Sequence, residues 1–157
     1  MRHSGAPRIV ITGIGAVSPF GVGRERFWES VSRGCSGTRA ITEFDASELA
    51  CRVAAPVPAL GVDDVPALDG DDLWDAGYRA DPKRYSRAAL IGVIAAREAW
   101  ADAGLRIGEP GAGVIIGSGG GGIDIGERQY YDYFIERGRR VSPYAIPVSI
   151  VGSVRCV

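Results

Sequence analysis

The chain has 157 residues, of which 46% are hydrophobic and 24% charged, with a net charge of −1. That size suits one globular domain, and the near-neutral balance gives no reason to invoke nucleic acid or an anionic membrane surface as partner. No apolar run approaches the ~18 residues of a membrane span. The three cysteines, Cys35, Cys51 and Cys156, form neither a zinc-type pair nor a disulfide framework, so a reducing cytoplasm is expected.

In chain order, Arg8 to Thr12 (RIVIT) reads as a buried first strand, and Gly13 to Gly23 as a loop. The stretch Arg2–Val17 is not expected to be a signal peptide, because its apolar run is β-branched and broken by Gly13 and Gly15. Arg24 to Arg33 reads as a helix with Phe27, Trp28 and Val31 on one face and Gly34 as its stop. Thr38–Phe44 and Cys51–Val57 hold short strands or extended segments. Pro58 to Pro82 carries Asp63, Asp64, Asp69, Asp71, Asp72, Asp75 and Asp81 against one basic residue, Arg79. Those aspartates lack the spacing of a calcium loop, so the stretch is expected to be a solvated surface excursion.

A second helix starts at Pro82 or Ser86, runs to about Ala103 and stops at Gly104. It is apolar nearly all round from Ala88 to Ala96, as suits a helix inside a large core, and its small side chains admit close neighbours. Only its last turns, with Arg97, Glu98 and Asp102, look wet. Val114 to Ile116 is a short apolar run of the length of a strand buried on both faces. Gly117 to Gly122 follows, five glycines and one serine. A third helix is expected from Ile123 to Arg137, ending at Gly138, with Ile123, Tyr130, Tyr131, Phe134 and Ile135 as its apolar side. Ser142-Pro143 signals another helix start. Ile146 to Val157 runs apolar to the last residue, with only Arg155 charged. The expectation is therefore an α/β chain with parallel strands that stops before its fold is complete.

Strand, glycine loop and helix bring backbone close to a ligand or a neighbouring chain, and two such loops invite a nucleotide reading. Gly13-x-Gly15 has Ser18-Pro19 where the third glycine would stand. Gly117-x-Gly119-x-x-Gly122 fits fully, but a run of five glycines fits almost automatically, and the acidic partner is missing: Glu136 falls inside a helix. Nucleophilic catalysis needs a base beside a Cys or Ser. The single histidine, His3, lies at the terminus, and the three cysteines read as inert thiols. No spacing marks a metal site, and no cofactor is implied. A nucleotide-binding α/β domain stays as the unrelated alternative.

Four collinear stretches resemble the start of the β-ketoacyl-acyl-carrier-protein synthases, the condensing enzymes of fatty-acid and polyketide assembly. They are RIVITGIGAVSPFG (Arg8–Gly21), FWESVSRGCSGTRAITEFD (Phe27–Asp45), RYSRAALIGVIAAREAWADAGL (Arg84–Leu105), and GVIIGSGGGG (Gly113–Gly122) followed by RRVSPYAIPVSIVGSV (Arg139–Val154). The resemblance covers most of the chain outside the aspartate-rich excursion. It implies a partial thiolase-like layered α/β/α fold, the front of the first of two related halves. It also implies an acyltransferase reaction, in which acyl and malonyl thioesters of acyl carrier protein are condensed. The partners implied are acyl carrier protein and either a second copy or a ketosynthase-like partner.

In the family the cysteine nucleophile and two histidines lie beyond the residues matched here, so the resemblance places no catalytic residue in this chain. Cys156 does not match the nucleophile's motif. Gly152 stands where an asparagine is common, and Arg155-Cys156-Val157 departs from the usual continuation. What the resemblance does carry over is an acyl pocket lined by Gly120, Ile123, Tyr144, Ala145 and Ile146. A non-catalytic, scaffold-like chain that pairs with a complete synthase is the second reading.

Overall fold

The computed structural model describes residues 8–68, 85–136, 138, 141–143 and 145. His3, Tyr144, Cys156, the later aspartates of the excursion, a helix start at Pro82 and the apolar stretch from Ile146 lie outside these residues.

Two two-residue strands, β1 (Val17–Ser18) and β2 (Gly21–Val22), pair antiparallel with Val17 opposite Val22. Ser18 fastens the turn between them: its Oγ accepts from the Phe20 N–H at 3.2 Å and donates to the Gly21 carbonyl. Helix α1 (Arg24–Ser32) follows at once. It ends as expected at Gly34, whose φ is +72°. The Gly34 N–H donates to Val31 O and the Cys35 N–H to Ser30 O, both at 2.9 Å, the crossed pair of bonds of a Schellman stop. Strands β3 (Arg39–Ala40) and β4 (Val53–Ala54) pair antiparallel, within the two segments expected to be extended.

The Glu43 carboxylate, just after β3, pairs with the Arg39 guanidinium and accepts from the Thr42 N–H at 3.0 Å. The Arg39 bond first, and the Thr42 N–H second, lower its pKa from the usual 4.5 to about 2. A lowered carboxylate pKa means a contribution fully present above the unfolded value and lost as the pH falls through the folded one. The Glu43 carboxyl resonance should therefore titrate near 2, and Arg39→Ala should return it toward 4.5; an ordinary midpoint in the parent chain would rule the pairing out.

Helix α2 (Arg87–Asp102) is the hub. Ser86, almost fully buried, caps it by accepting from the Ala89 N–H at 3.2 Å. Its end repeats the Schellman geometry: Gly104 N–H to Ala101 O and Leu105 N–H to Trp100 O, with Gly104 at φ +66°. Ile94, at 0% exposure, is the most buried apolar side chain among the described residues. The loop backbone at Gly13 and Gly15 lies against α2. A Cβ at Gly15 would meet the Ala95 carbonyl oxygen at 1.9 Å, and one at Gly13 would meet that of Ala99 at 2.2 Å. The alanines of α2 thus admit the close neighbour that its composition suggests. The Arg97 Nε donates to Pro66 O at 2.6 Å, and the Arg87 guanidinium to the carbonyls of Val57 and Pro58. The front of the aspartate-rich stretch, with its short 3-10 turn Val62–Asp64, is thereby tied to α2.

Three expectations are corrected. The runs 8–12 and 114–116 are not strands: Ile9 is 96% and Ile115 100% exposed, and the sheets among the described residues are the two antiparallel pairs, with no parallel layer. Such runs become buried strands only between hydrogen-bonded neighbours on both sides. The Phe27, Trp28 and Val31 face of α1 is exposed for the same lack of a covering layer. Glu98 is not wet but half-buried, and Asp102, exposed as expected, is a working contact as well. Glu98 accepts from the Ala16 and Arg24 N–H groups, each at 2.8 Å. Asp102 accepts from the Ile14 N–H at 3.0 Å and pairs with the Arg24 guanidinium at 2.9 Å.

Candidate functional site

The glycine loop 117–122 is shaped from within. The Ser118 Oγ accepts from the Gly121 N–H at 2.9 Å, and Gly121 takes φ +56°, a conformation that favours glycine. Gly122 is buried and starts α3 (Ile123–Phe134), its carbonyl accepting from the N–H groups of Ile125 and Gly126. Gly120 sits on the exposed turn with no backbone requirement for glycine. A Cβ there would reach only Ile123 Cγ2, at 3.7 Å, an ordinary contact.

Helix α3 is three residues shorter than expected, ending at Phe134 rather than Arg137. Its orientation also differs from the expectation. Gly122, Ile125, Gly126, Gln129 and Asp132, at helical spacing, form the half-buried to buried stripe. The aromatic side is turned outward instead: Phe134, 63% exposed, stacks on Tyr130 at 5.5 Å and meets the edge of Tyr133 at 5.0 Å. The apolar residues do share one side, but that side is exposed; the contacts of α3 to neighbouring segments are made by two polar anchors that the pattern does not reveal.

The first anchor is Asp124, whose Oδ2 accepts from the Arg87 N–H at 3.2 Å. This satisfies one of the free N–H groups at the start of α2 and holds the two helix starts together. The second is Gln129, whose Oε1 accepts from the Ser142 N–H at 2.7 Å. Ser142 in turn opens a turn in which the Ala145 N–H returns to the Ser142 carbonyl at 3.0 Å.

Of the five pocket residues expected, Gly120 and Ile123 are in contact reach at the loop-to-helix junction, and Ala145 is half-buried in the turn that α3 holds through Gln129. Tyr144 and Ile146 lie outside the described residues. Asp124 and Gln129 are missed by motif reading. The sole hint of them is that they are polar residues on a helix otherwise read for its apolar side.

Among the described residues there is no cluster of His, Cys, Asp and Glu fit to hold a metal ion, and no helix is long and apolar enough to cross a membrane. Cys35 and Cys51 are free and exposed, the Cys51 thiol donating to the Val53 carbonyl at 3.4 Å.

The chain is 36% identical to 3-oxoacyl-acyl-carrier-protein synthase 2 of Coxiella burnetii over 151 residues, 92% of this chain and 33% of that protein. It is 35% identical to the tetracenomycin polyketide synthase ketoacyl synthase alpha subunit of Streptomyces glaucescens over 104 residues, 66% of this chain and 22% of that one. Among solved structures it is similar to the ishigamide ketosynthase/chain length factor, with a TM-score of 0.67 at 24% identity, over 90% of this chain and 33% of that one. The chain thus spans a third or less of the length of these proteins. The structural likeness makes its fold a partial thiolase-like α/β fold, although the sheets among the described residues are two short antiparallel pairs. The family model for the β-ketoacyl synthase N-terminal domain matches residues 6–156, and the chain belongs to that family.

Proposed function

We propose that the chain is the front portion of a β-ketoacyl-acyl-carrier-protein synthase of fatty-acid or polyketide assembly. A cysteine thiolate takes an acyl group from a carrier thioester and releases the carrier thiol. Malonyl carrier protein loses carbon dioxide, and the resulting carbanion attacks the acyl-enzyme, freeing the thiolate and giving the β-ketoacyl product. The nucleophile and its two histidines are contributed from outside these 157 residues, whose single histidine is His3. Residues 1–157 form a fragment of the N-terminal ketosynthase domain, with 58–82 as a surface excursion. It works in the cytoplasm with acyl carrier protein, as a homodimer or beside a ketosynthase-like partner.

The observation that supports this reading is the match of residues 6–156 to the β-ketoacyl synthase N-terminal domain. The Gln129–Ser142 hydrogen bond agrees with it: it fastens the Ser-Pro segment to the helix that the glycine loop begins, the two stretches that the family resemblance sets beside the acyl chain. The test is the native gene product incubated with acyl and malonyl carrier-protein thioesters. A β-ketoacyl product is expected from it and none from the 157-residue chain alone. Turnover by the isolated chain would refute the placement of the catalytic groups elsewhere, and no product from the native protein would refute the activity.

Gly120 tests the pocket. A Cβ at its position meets Ile123 Cγ2 at 3.7 Å, an ordinary contact, so a larger side chain can be placed there without a backbone clash. In the native protein Gly120→Ile should lower kcat/KM for the longest accepted acyl chains by about tenfold or more relative to short ones, the scale of a methylene-sized change in an apolar pocket. An unchanged chain-length profile would remove Gly120 from the pocket.

A further inference from the structure

The glycine loop rests on α2 at both of its ends. Where the chain enters the loop, the half-buried Ile116 lies over Gly92: a Cβ built on Gly92 would meet Ile116 Cγ2 at 3.8 Å and Cδ1 at 4.0 Å. Where the chain leaves the loop, the half-buried Asp124, in the first turn of α3, accepts from the Arg87 N–H at 3.2 Å. Arg87 is the first residue of α2 and Gly92 the sixth, so the two footings are about 7.5 Å apart along the helix axis. The entry footing is a van der Waals contact and has no direction. The exit footing is a hydrogen bond and has one. Between them the loop is closed on itself by the Gly121 N–H donating to Ser118 Oγ at 2.9 Å.

We infer that Asp124 is a positioning residue for the glycine loop: it fixes the loop's exit on the first residue of α2, and with it the place of Gly120 and Ile123. Its consequence for substrate rests on the acyl-pocket reading proposed above. Asp124 acts through the Arg87 N–H and on no reacting atom. A carboxylate in the first turn of a helix also favours that helix through its charge alone. The two roles make opposite demands: positioning needs an acceptor oxygen at the reach of Asp124, and the charge effect needs only a negative side chain.

Three substitutions in the native gene product tell them apart. Asp124→Ala removes both the acceptor and the charge. Asp124→Asn keeps an oxygen at the same reach and loses the charge. Asp124→Glu keeps the charge but moves the acceptor by one methylene, and serves where the alanine variant does not fold. Amide hydrogen exchange at Arg87 and Gly121 reads the footing and the loop without reference to any activity. Exchange at both should quicken by about fivefold in Asp124→Ala and Asp124→Glu, the scale of one lost hydrogen bond, and stay at the parent rate in Asp124→Asn. With acyl carrier-protein thioesters, KM should rise by about the same factor in the alanine and glutamate variants at a nearly unchanged kcat, with the asparagine variant at the parent value. The reverse order, glutamate like the parent and asparagine like alanine, assigns Asp124 to helix charge and overturns the proposal. Faster exchange at Arg87 with Gly121 unchanged overturns it as well, since the bond then does not hold the loop. Exchange in the expected order with an unaltered KM overturns the substrate consequence alone. No acyl turnover by the parent protein overturns the acyl reading, while the exchange order still decides whether Asp124 positions the loop.

Discussion

Gly15→Ala is expected to be the most damaging small substitution in the described part of the chain. The added Cβ would stand 1.9 Å from the Ala95 carbonyl oxygen and 2.8 Å from both Ala95 C and Ala99 N. All three are backbone atoms inside α2, so no flexible side chain can swing away to relieve the clash. The loop must lift off the helix, and Glu98 and Asp102 then lose their backbone partners at Ala16 and Ile14. A loss of about 3 kcal/mol or more follows, in the range reserved for overpacking and broken buried networks. Gly113→Ala is the matched control, since a Cβ there meets nothing within 4 Å. Urea unfolding followed by circular dichroism should show a much lower midpoint for Gly15→Ala and a change within about 0.5 kcal/mol for the control. Equal midpoints would mean that the loop does not rest on α2.

Glu98→Ala is expected to come second, at roughly 2–3 kcal/mol. It leaves two half-buried N–H groups, those of Ala16 and Arg24, without the carboxylate that accepts them. The Arg24 N–H is the first of α1, whose N-cap is Gly23 and so has no side chain to serve. The cap of α1 is thus lent by α2. Glu98→Gln retains one oxygen and should lose about half as much. Hydrogen exchange should quicken at Ala16 and over the first turn of α1 in Glu98→Ala, while the last turn of α1, closed by its own Schellman bonds, keeps its parent rate. Unaltered exchange at Arg24 would exclude the borrowed cap.

What was legible in the sequence follows from the range of the forces involved. Ser86 as a cap and Gly34 and Gly104 as stops act within one turn of the chain, and all three are found where the pattern places them. RIVIT and Val114–Ile116 are apolar and β-branched, yet a strand is a relation between segments, and the described residues supply them with no partner. Glu98 and Asp102 look like a solvated i, i+4 pair because their partners are backbone amides 74 to 88 residues away, which carry no residue-type signal. At the site, the family resemblance picks out Gly120 and Ile123, which lie near each other at the head of α3, where a Cβ added to Gly120 would reach Ile123. It does not pick out Gln129, whose part depends on a backbone N–H thirteen positions on.

The loan of a cap from α2 to α1 also orders events in time. The carboxylates that secure residues 14 to 24 belong to residues 98 and 102, which leave the ribosome long after the segment that they hold. At roughly 5–20 residues per second of synthesis, residues 14 to 24 wait on the order of several seconds for those carboxylates. During that interval the Ile14, Ala16 and Arg24 N–H groups have only water to serve them. Slowing translation just before α2 should lengthen that interval.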